Sequence, residues 1–383
     1  MGENTKIVTF GNPFVDATLS VEAARKILKE IDPYEYFGVT KGKSEDSPLV
    51  SKFLYEAQTS IKARDLGFSF NVYPGCTSAN VAYLIAALNS LEVELGQQQK
   101  FDLSYIAPTA PGGSGLLQQV FLYGTNNDGI VDAGVNPLLI HKKDQIFSSA
   151  LVLIDADGER TFVKTPAIQM EPKDLDEQIR SISDQEFYFP RKVIAESDIF
   201  VINGYELMGK YETAISAIEI ANKASSFVVL DTANFSDFQQ TIRESCDNVS
   251  YDMLVVTGEV SQSTRDFFFE RELSYFISTL GGKGSIIYTK NNDVIYVQGH
   301  APFEGFINTN GAGDALVGKL LHSFANFIST GGTMEELILR PELLEKMANR
   351  ASYLAGQACG EEGARIPLHK IPDIYMRLQH LDI

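Results

Sequence analysis

Short apolar runs alternate with amphipathic stretches along most of this chain, and that alternation restricts the fold more than any other feature. Lys6 to Gly11 reads as a first strand. Ile199 to Gly204, Ser226 to Asp231, Met253 to Thr257 and Ser285 to Thr289 read as buried strands, each bounded by turn or helix signals. Between them, Tyr211 to Ala224 has helical spacing, with Ile215, Ile218 and Ile220 set among polar residues. Apolar strands separated by helices predict an α/β fold with a central, mainly parallel sheet flanked by helices. At 383 residues, 44% of them hydrophobic, the chain can bury a sizeable core. No internal repeat or low-complexity segment breaks the pattern.

Two segments depart from it. The stretch from Asp16 to Gly75 holds a helical pattern over Ala23 to Ile31, then the polar run Thr40 to Pro48, then Ser51 to Ala63. Ser148 to Ala167 reads as a hairpin, with Asp155-Ala156-Asp157-Gly158 turning between Leu151–Ile154 and Arg160–Val163. Together they predict a second layer within a single domain spanning 1–383, built from insertions at about 17–73 and 148–167.

The chemistry concentrates in Asn308-Thr309-Asn310-Gly311-Ala312-Gly313-Asp314. Leu316, Val317, Leu320, Leu321 and Phe324 follow at helical spacing, so Gly311 to Gly313 should form the first turn of a helix. Backbone N–H groups there lack helical partners, and together with the helix dipole they favour an anion. Glycine lets the backbone approach a phosphate, and Asp314 stands where a carboxylate can take a proton from an attacking hydroxyl. A plain loop-to-helix junction reads the same residues without any ligand.

Composition narrows the alternatives. A net charge of −18 speaks against a general nucleic-acid grip, which needs clustered Lys and Arg. Cys76, Cys246 and Cys359 lack metal-ligand spacing, and an odd count suits reduced thiols in a cytoplasm. The start, Met1 to Lys6, carries no apolar secretory core, and no apolar run reaches membrane-spanning length.

The heptapeptide resembles the Asp-Thr-x-Gly-Ala-Gly-Asp signature of the ribokinase-like (PfkB) sugar and nucleoside kinases. Four further segments fit that family in the right order: Gly11 to Asp16, Pro74 to Asn80, Asp157 to Phe162 and Thr279 to Gly284. The resemblance covers nearly the whole chain. It implies a ribokinase-like fold whose two insertions form a small lid over the substrate. It makes Asp314 the catalytic base and gives Gly311, Ala312 and Gly313 backbone contacts to the γ-phosphate. Asp16 and Asn80 would bind acceptor hydroxyls beside Gly75, a carboxylate being suited to two neighbouring hydroxyls. Thr279, Gly281 and Gly284 would lie against the nucleotide phosphates and Asn349 near the adenine. Phe162 and Tyr205 are candidates for stacking on a base.

Three positions depart from the family pattern. Cys76 stands where a second glycine is usual. The Asn-x-x-Glu motif that helps organise magnesium falls on Thr257-Gly258-Glu259-Val260, which leaves Glu259 as the metal candidate, one residue out of place. Asn308 replaces the usual Asp, and a neutral amide speaks against monovalent-cation activation. Asn308 together with Ala348 to Tyr353 resembles inosine-guanosine kinases, while Gly11 to Asp16 resembles adenosine kinases.

The expected reaction is ATP γ-phosphoryl transfer, with magnesium, to the 5′-hydroxyl of a purine ribonucleoside, as in purine salvage. A sugar kinase of ribokinase or fructokinase type is the nearest alternative, and a non-catalytic ligand-binding relative is another, favoured by the degraded Asn-x-x-Glu and opposed by the intact Asp314. A Rossmann dehydrogenase is disfavoured because no Gly-x-Gly-x-x-Gly follows the first strand. The expected partner is a small nucleoside or sugar, with a homodimer left open, and neither nucleic acid nor membrane is expected.

Overall fold

The computed structural model describes the chain except residues 1–3, 42, 48, 51, 54–71, 99–100, 111–114, 125–128, 144, 146–147, 157–159, 166, 233–234, 362 and 381–383. Of residues 14–16, 18, 44, 72–74, 115–117, 160 and 162 it describes the backbone. In chain order the strands are β1 (Thr5–Phe10), β2 (Phe14–Ser20), β3 (Ser44–Asp46), β4 (Val72–Gly75), β5 (Phe101–Thr109), β6 (Asn136–His141), β7 (Ser149–Ile154) and β8 (Arg160–Lys164). They continue with β9 (Ile179–Arg180), β10 (Phe187–Tyr188), β11 (Ile199–Asn203), β12 (Phe227–Asp231), β13 (Met253–Thr257), β14 (Tyr275–Thr279), β15 (Ser285–Thr289) and β16 (Val294–Val297).

Nine of these strands form one sheet in the order β16-β15-β14-β13-β12-β11-β1-β5-β6. Every pair from β14 to β6 is parallel, and β14-β15-β16 closes one edge as an antiparallel meander. Alternation of side chains sends Ile7, Ile199, Val201 and Val229 into one core and Val8, Phe200, Ile202 and Val228 into another on the opposite face. A sheet buried on both sides needs uninterrupted apolar strands, which is the pattern the sequence carries. Met253–Thr257 and Ser285–Thr289 form at their expected bounds, and the first strand is shifted by one residue. In β15, Ile286 and Tyr288 are only half-buried, because an antiparallel strand near the edge is covered less completely on one face.

Both departing segments contribute to a separate five-stranded sheet, ordered β3-β8-β7-β2-β4. The expected hairpin is present as antiparallel β7 and β8, while the Asp157-Gly158 part of its turn lies outside the described residues. The helix expected over Ala23 to Ile31 runs instead over Val21–Ile27, capped by Ser20, whose hydroxyl accepts from Ala23 N–H at 3.1 Å. It stops early because Lys29 and Glu30 take left-handed φ of 56° and 72°. Most of Ser51 to Ala63 lies outside the described residues.

Two long helices, Thr77–Glu94 and Ala312–Ser329, pack side by side against the sheet. Gly318 permits the close approach, since a Cβ there would lie 3.2 Å from Leu84 Cβ. Among the described residues no helix is long and apolar enough to cross a membrane.

Candidate active site

In a parallel sheet the chain leaves each strand at the same edge, and ligands bind where the strand order reverses direction. Here the order runs outward from β1 through β5 on one side and β11 on the other. The carboxyl ends of β1 and β11 deliver Gly11-Asn12-Pro13 and Asn203-Gly204-Tyr205 to that point.

The floor is tightly pinned. Asn203 Nδ2 donates to Ser78 Oγ at 3.0 Å, and a Cβ on Gly11 would meet that same oxygen at 2.9 Å. Asn12 N–H donates to Glu206 Oε1 at 2.7 Å, and Lys210 Nζ donates to Glu206 Oε2 at 2.8 Å. Both charged side chains are almost fully buried, so each compensates the other where water cannot. Tyr105 Oη donates to Gly11 C=O at 3.1 Å.

Gly311 caps the Ala312–Ser329 helix with a φ of 72°, and any Cβ on it would fall 1.9 Å from Ala364 O. Only glycine fits there. Ala312 and Gly313 then open the first turn, with Gly313 exposed, and Asp314 completes it. Unpaired N–H groups in the first turn of a helix favour an anion, and the Ala312 N–H here donates to Thr309 O at 3.4 Å.

Asp314 meets Asn80 from the neighbouring helix, whose Nδ2 donates to Asp314 Oδ2 at 2.7 Å. The other end of the Asn80 amide, Oδ1, accepts from Arg365 Nε at 2.8 Å. Burial raises the Asp314 carboxyl from 3.8 to about 6, against the opposing pull of the Asn80 amide, the Thr77 hydroxyl and the Arg365 charge. A carboxyl with a pKa near neutrality is suited to general-base chemistry.

The remaining candidate residues lie on separate elements. Gly75 ends β4, and Asp16 lies in β2, paired with Tyr73 and Ala150. Cys76, next to Gly75, takes a φ of 83° and ψ of 123°, a conformation nearly reserved for glycine. Thr279 ends β14 opposite Thr257, with its hydroxyl donating to Val256 O at 3.2 Å. Gly281 and Gly284 follow with φ of 59° and 96°, and a Cβ on Gly284 would lie 1.9 Å from Val297 O. Glu259 is exposed in the loop after β13. Among the described residues, no three His, Cys, Asp or Glu side chains converge on a metal site. Magnesium commonly keeps its waters and takes one or two carboxylates plus substrate phosphates, so a single exposed Glu259 is compatible with it. Asn349 is half-buried on the Pro341–Ala358 helix, and Tyr205 is half-exposed on the helix after β11 with its ring 5.0 Å from Phe238. The Phe162 side chain lies outside what is described.

Asn308 is buried, with Nδ2 donating to Glu361 O at 2.8 Å and Oδ1 accepting from Asn310 N–H at 2.7 Å. An amide proton thus faces the carbonyl toward which an Asp at this position would turn a negative oxygen.

The sequence reading missed Arg365, Glu206 and Lys210. Glu206 and Lys210 share a spacing of four residues on adjoining helical segments, a weak signal that nothing ties to Asn12. Arg365 is 285 residues from Asn80 and sits in no periodic pattern.

A glycine-capped helix terminus carrying a half-buried carboxyl of raised pKa at the strand-order reversal is an arrangement that suits a phosphotransferase. Residues 128–371 match the pfkB family carbohydrate kinase profile. The chain belongs to that family, the sugar and nucleoside kinases that use ATP. Among solved structures it is similar to an adenosine kinase from Sinorhizobium meliloti, at 16% identity and TM-score 0.66, covering 97% of this chain and 99% of that one. A probable sugar kinase from Rhizobium etli is similar at 14% identity and TM-score 0.64, covering 98% and 99%. Ribokinase from Giardia lamblia is similar at 14% identity and TM-score 0.63, again covering 98% and 99%. At these identities the likeness extends to the fold. No curated protein matches the chain.

Proposed function

We propose that the protein transfers the γ-phosphoryl group of ATP to the 5′-hydroxyl of a purine ribonucleoside. The observation that carries this reading is the half-buried Asp314 carboxyl in the first turn of a glycine-capped helix, held by Asn80. In this reading Asp314 accepts the hydroxyl proton while the Gly311–Gly313 backbone binds the transferred phosphoryl group, so the chain supplies positioning and charge stabilisation. Asp16 and Gly75 hold the ribose, Asn80 offers it a second N–H, and the sheet of β2, β3, β4, β7 and β8 closes over it as a lid. Thr279, Gly281 and Gly284 border the nucleotide phosphates, with Asn349 toward the adenine. Magnesium, held through Glu259, neutralises phosphate charge when bound.

The half-exposed Tyr205 ring favours a nucleoside over a free sugar, because it offers an apolar face beside the acceptor site. The Asn308 and Ala348 to Tyr353 motifs, which resemble inosine-guanosine kinases, point the same way. The test is ATP consumption with magnesium across a panel of nucleosides and sugars. Guanosine or inosine should exceed free ribose and fructose in kcat/KM by roughly 10²-fold, a gap that burying a purine face can supply. A sugar turned over equally well would leave a sugar kinase in its place.

A further inference from the structure

Asn80 stands between a donor and an acceptor, and one orientation of its amide suits both. The Arg365 guanidinium has only donors, so the Asn80 atom facing Nε at 2.8 Å must be the carbonyl oxygen. The amide nitrogen is then turned toward Asp314 Oδ2, 2.7 Å away, where an ionised carboxylate can accept. We propose that Arg365 is a positioning residue for the phosphoryl-acceptor base, locking the Asn80 amide in the orientation that donates to Asp314 and so favours the proton-accepting carboxylate. The inference rests on the phosphoryl-transfer role proposed for Asp314.

The surroundings leave Arg365 little freedom. Arg365 and Asn80 are each 5% exposed, so solvent screens this contact weakly. The guanidinium lies 5.0 Å from the Tyr83 ring centre and 5.8 Å from that of Phe121. Its chain neighbours are fixed on two sides: Ala364 packs against the Gly311 backbone, and Ile366 O accepts from Tyr83 Oη at 2.8 Å. Without the guanidinium, Asn80 can turn over and present its oxygen to a protonated Asp314. That state is equally well hydrogen-bonded and cannot take a proton.

Among the described residues, the titratable and charged groups that act on Asp314 or share its field come from several elements. Arg365 approaches from the C-terminal segment; Tyr205 approaches from the helix after β11, with Asp231 and Asp237 also acting on its hydroxyl. The Thr77–Glu94 helix contributes Asn80 and Thr77, which do not titrate.

The test compares Arg365→Met, Arg365→Gln and Asn80→Ala in the full chain. Arg365→Met should lower kcat about 10-fold while KM for ATP stays within about 3-fold, the pattern of an interaction that acts on the chemical step. Arg365→Gln keeps an N–H donor for Asn80 Oδ1 and should recover part of the loss. In the Asn80→Ala background, Arg365→Met should cost little more, since the relay is already broken. Independently of any acceptor, ¹³C NMR of labelled aspartate, with Asp314→Asn identifying the signal, should show the Asp314 pKa rising by about half a unit to one unit in Arg365→Met. An unmoved Asp314 pKa, or losses that simply add, would overturn the relay whether or not the enzyme turns over. A moved pKa in a protein that phosphorylates nothing on the panel would instead overturn the proposed reaction. If Arg365→Met does not fold, Arg365→Gln against Asn80→Ala decides the same question.

Discussion

Asn80 and Asp314 are 234 residues apart in the chain, yet Asn80 Nδ2 lies 2.7 Å from Asp314 Oδ2. The contact exists because two helices start at the same edge of the sheet and approach closely at Gly318. Neither residue alone sets the pKa of that carboxyl. Burial raises the carboxyl, and the amide keeps it from rising further.

Replacing Asp314 by Asn should therefore leave the fold and nucleotide binding intact while turnover falls by roughly 10²-fold or more, the usual scale for loss of a general base. Steady-state rates alongside calorimetric titration with ATP separate the two. Activity within a few-fold of wild type would remove Asp314 from the mechanism.

The same carboxyl predicts two pH dependences. With its pKa raised from 3.8 to about 6, the ionised base appears only as pH climbs through that region, so kcat should rise through about pH 6 and level off above pH 7. For stability the sign is opposite. Between the two values the folded chain binds a proton that the unfolded chain has released, so folding weakens as pH rises from about 4 to 6. Asp314→Asn removes this penalty and should raise Tm at pH 8, with the gain vanishing by pH 4. A gain that persists at pH 4 would assign it to packing instead.

Asn308 predicts the response to salts. Its amide proton occupies the space before Glu361 O, so rates in potassium, sodium and choline chloride at equal ionic strength should agree within about 2-fold. Asn308→Asp turns a carboxylate toward that carbonyl and should create a requirement for a small cation. A wild-type enzyme silent without potassium would contradict this.

Cys76 predicts an inverted preference between small residues. At a φ of 83°, glycine relieves strain that alanine retains, so Cys76→Gly should be more stable than Cys76→Ala by about 1 kcal/mol. Chemical denaturation of the two variants measures it. Equal stability would mean that the surrounding chain shifts to accommodate a Cβ.

Much of this was legible in the sequence because it is local. Buried parallel strands need unbroken apolar runs, and Met253–Thr257 could be read to the residue. The start of the Ala312–Ser329 helix could be read because glycines precede an apolar pattern at helical spacing. The early end of the Val21–Ile27 helix was not legible, since Lys29 and Glu30 are ordinary helix formers held in a left-handed turn by their context. Arg365 was hidden for a different reason. Its significance lies in which atom of Asn80 it faces, a relationship that no spacing or composition encodes.

The close packing of Gly311 on Ala364 has a consequence for the order in which the protein is made. The cradle is shaped by backbone that lies 53 positions further along, and Arg365 follows directly after it. A ribosome can release the sheet, both long helices and Asp314 before this segment emerges. The nascent chain should therefore acquire its architecture before its chemistry, and catalytic competence should appear only once Ala364 and Arg365 have reached the cradle.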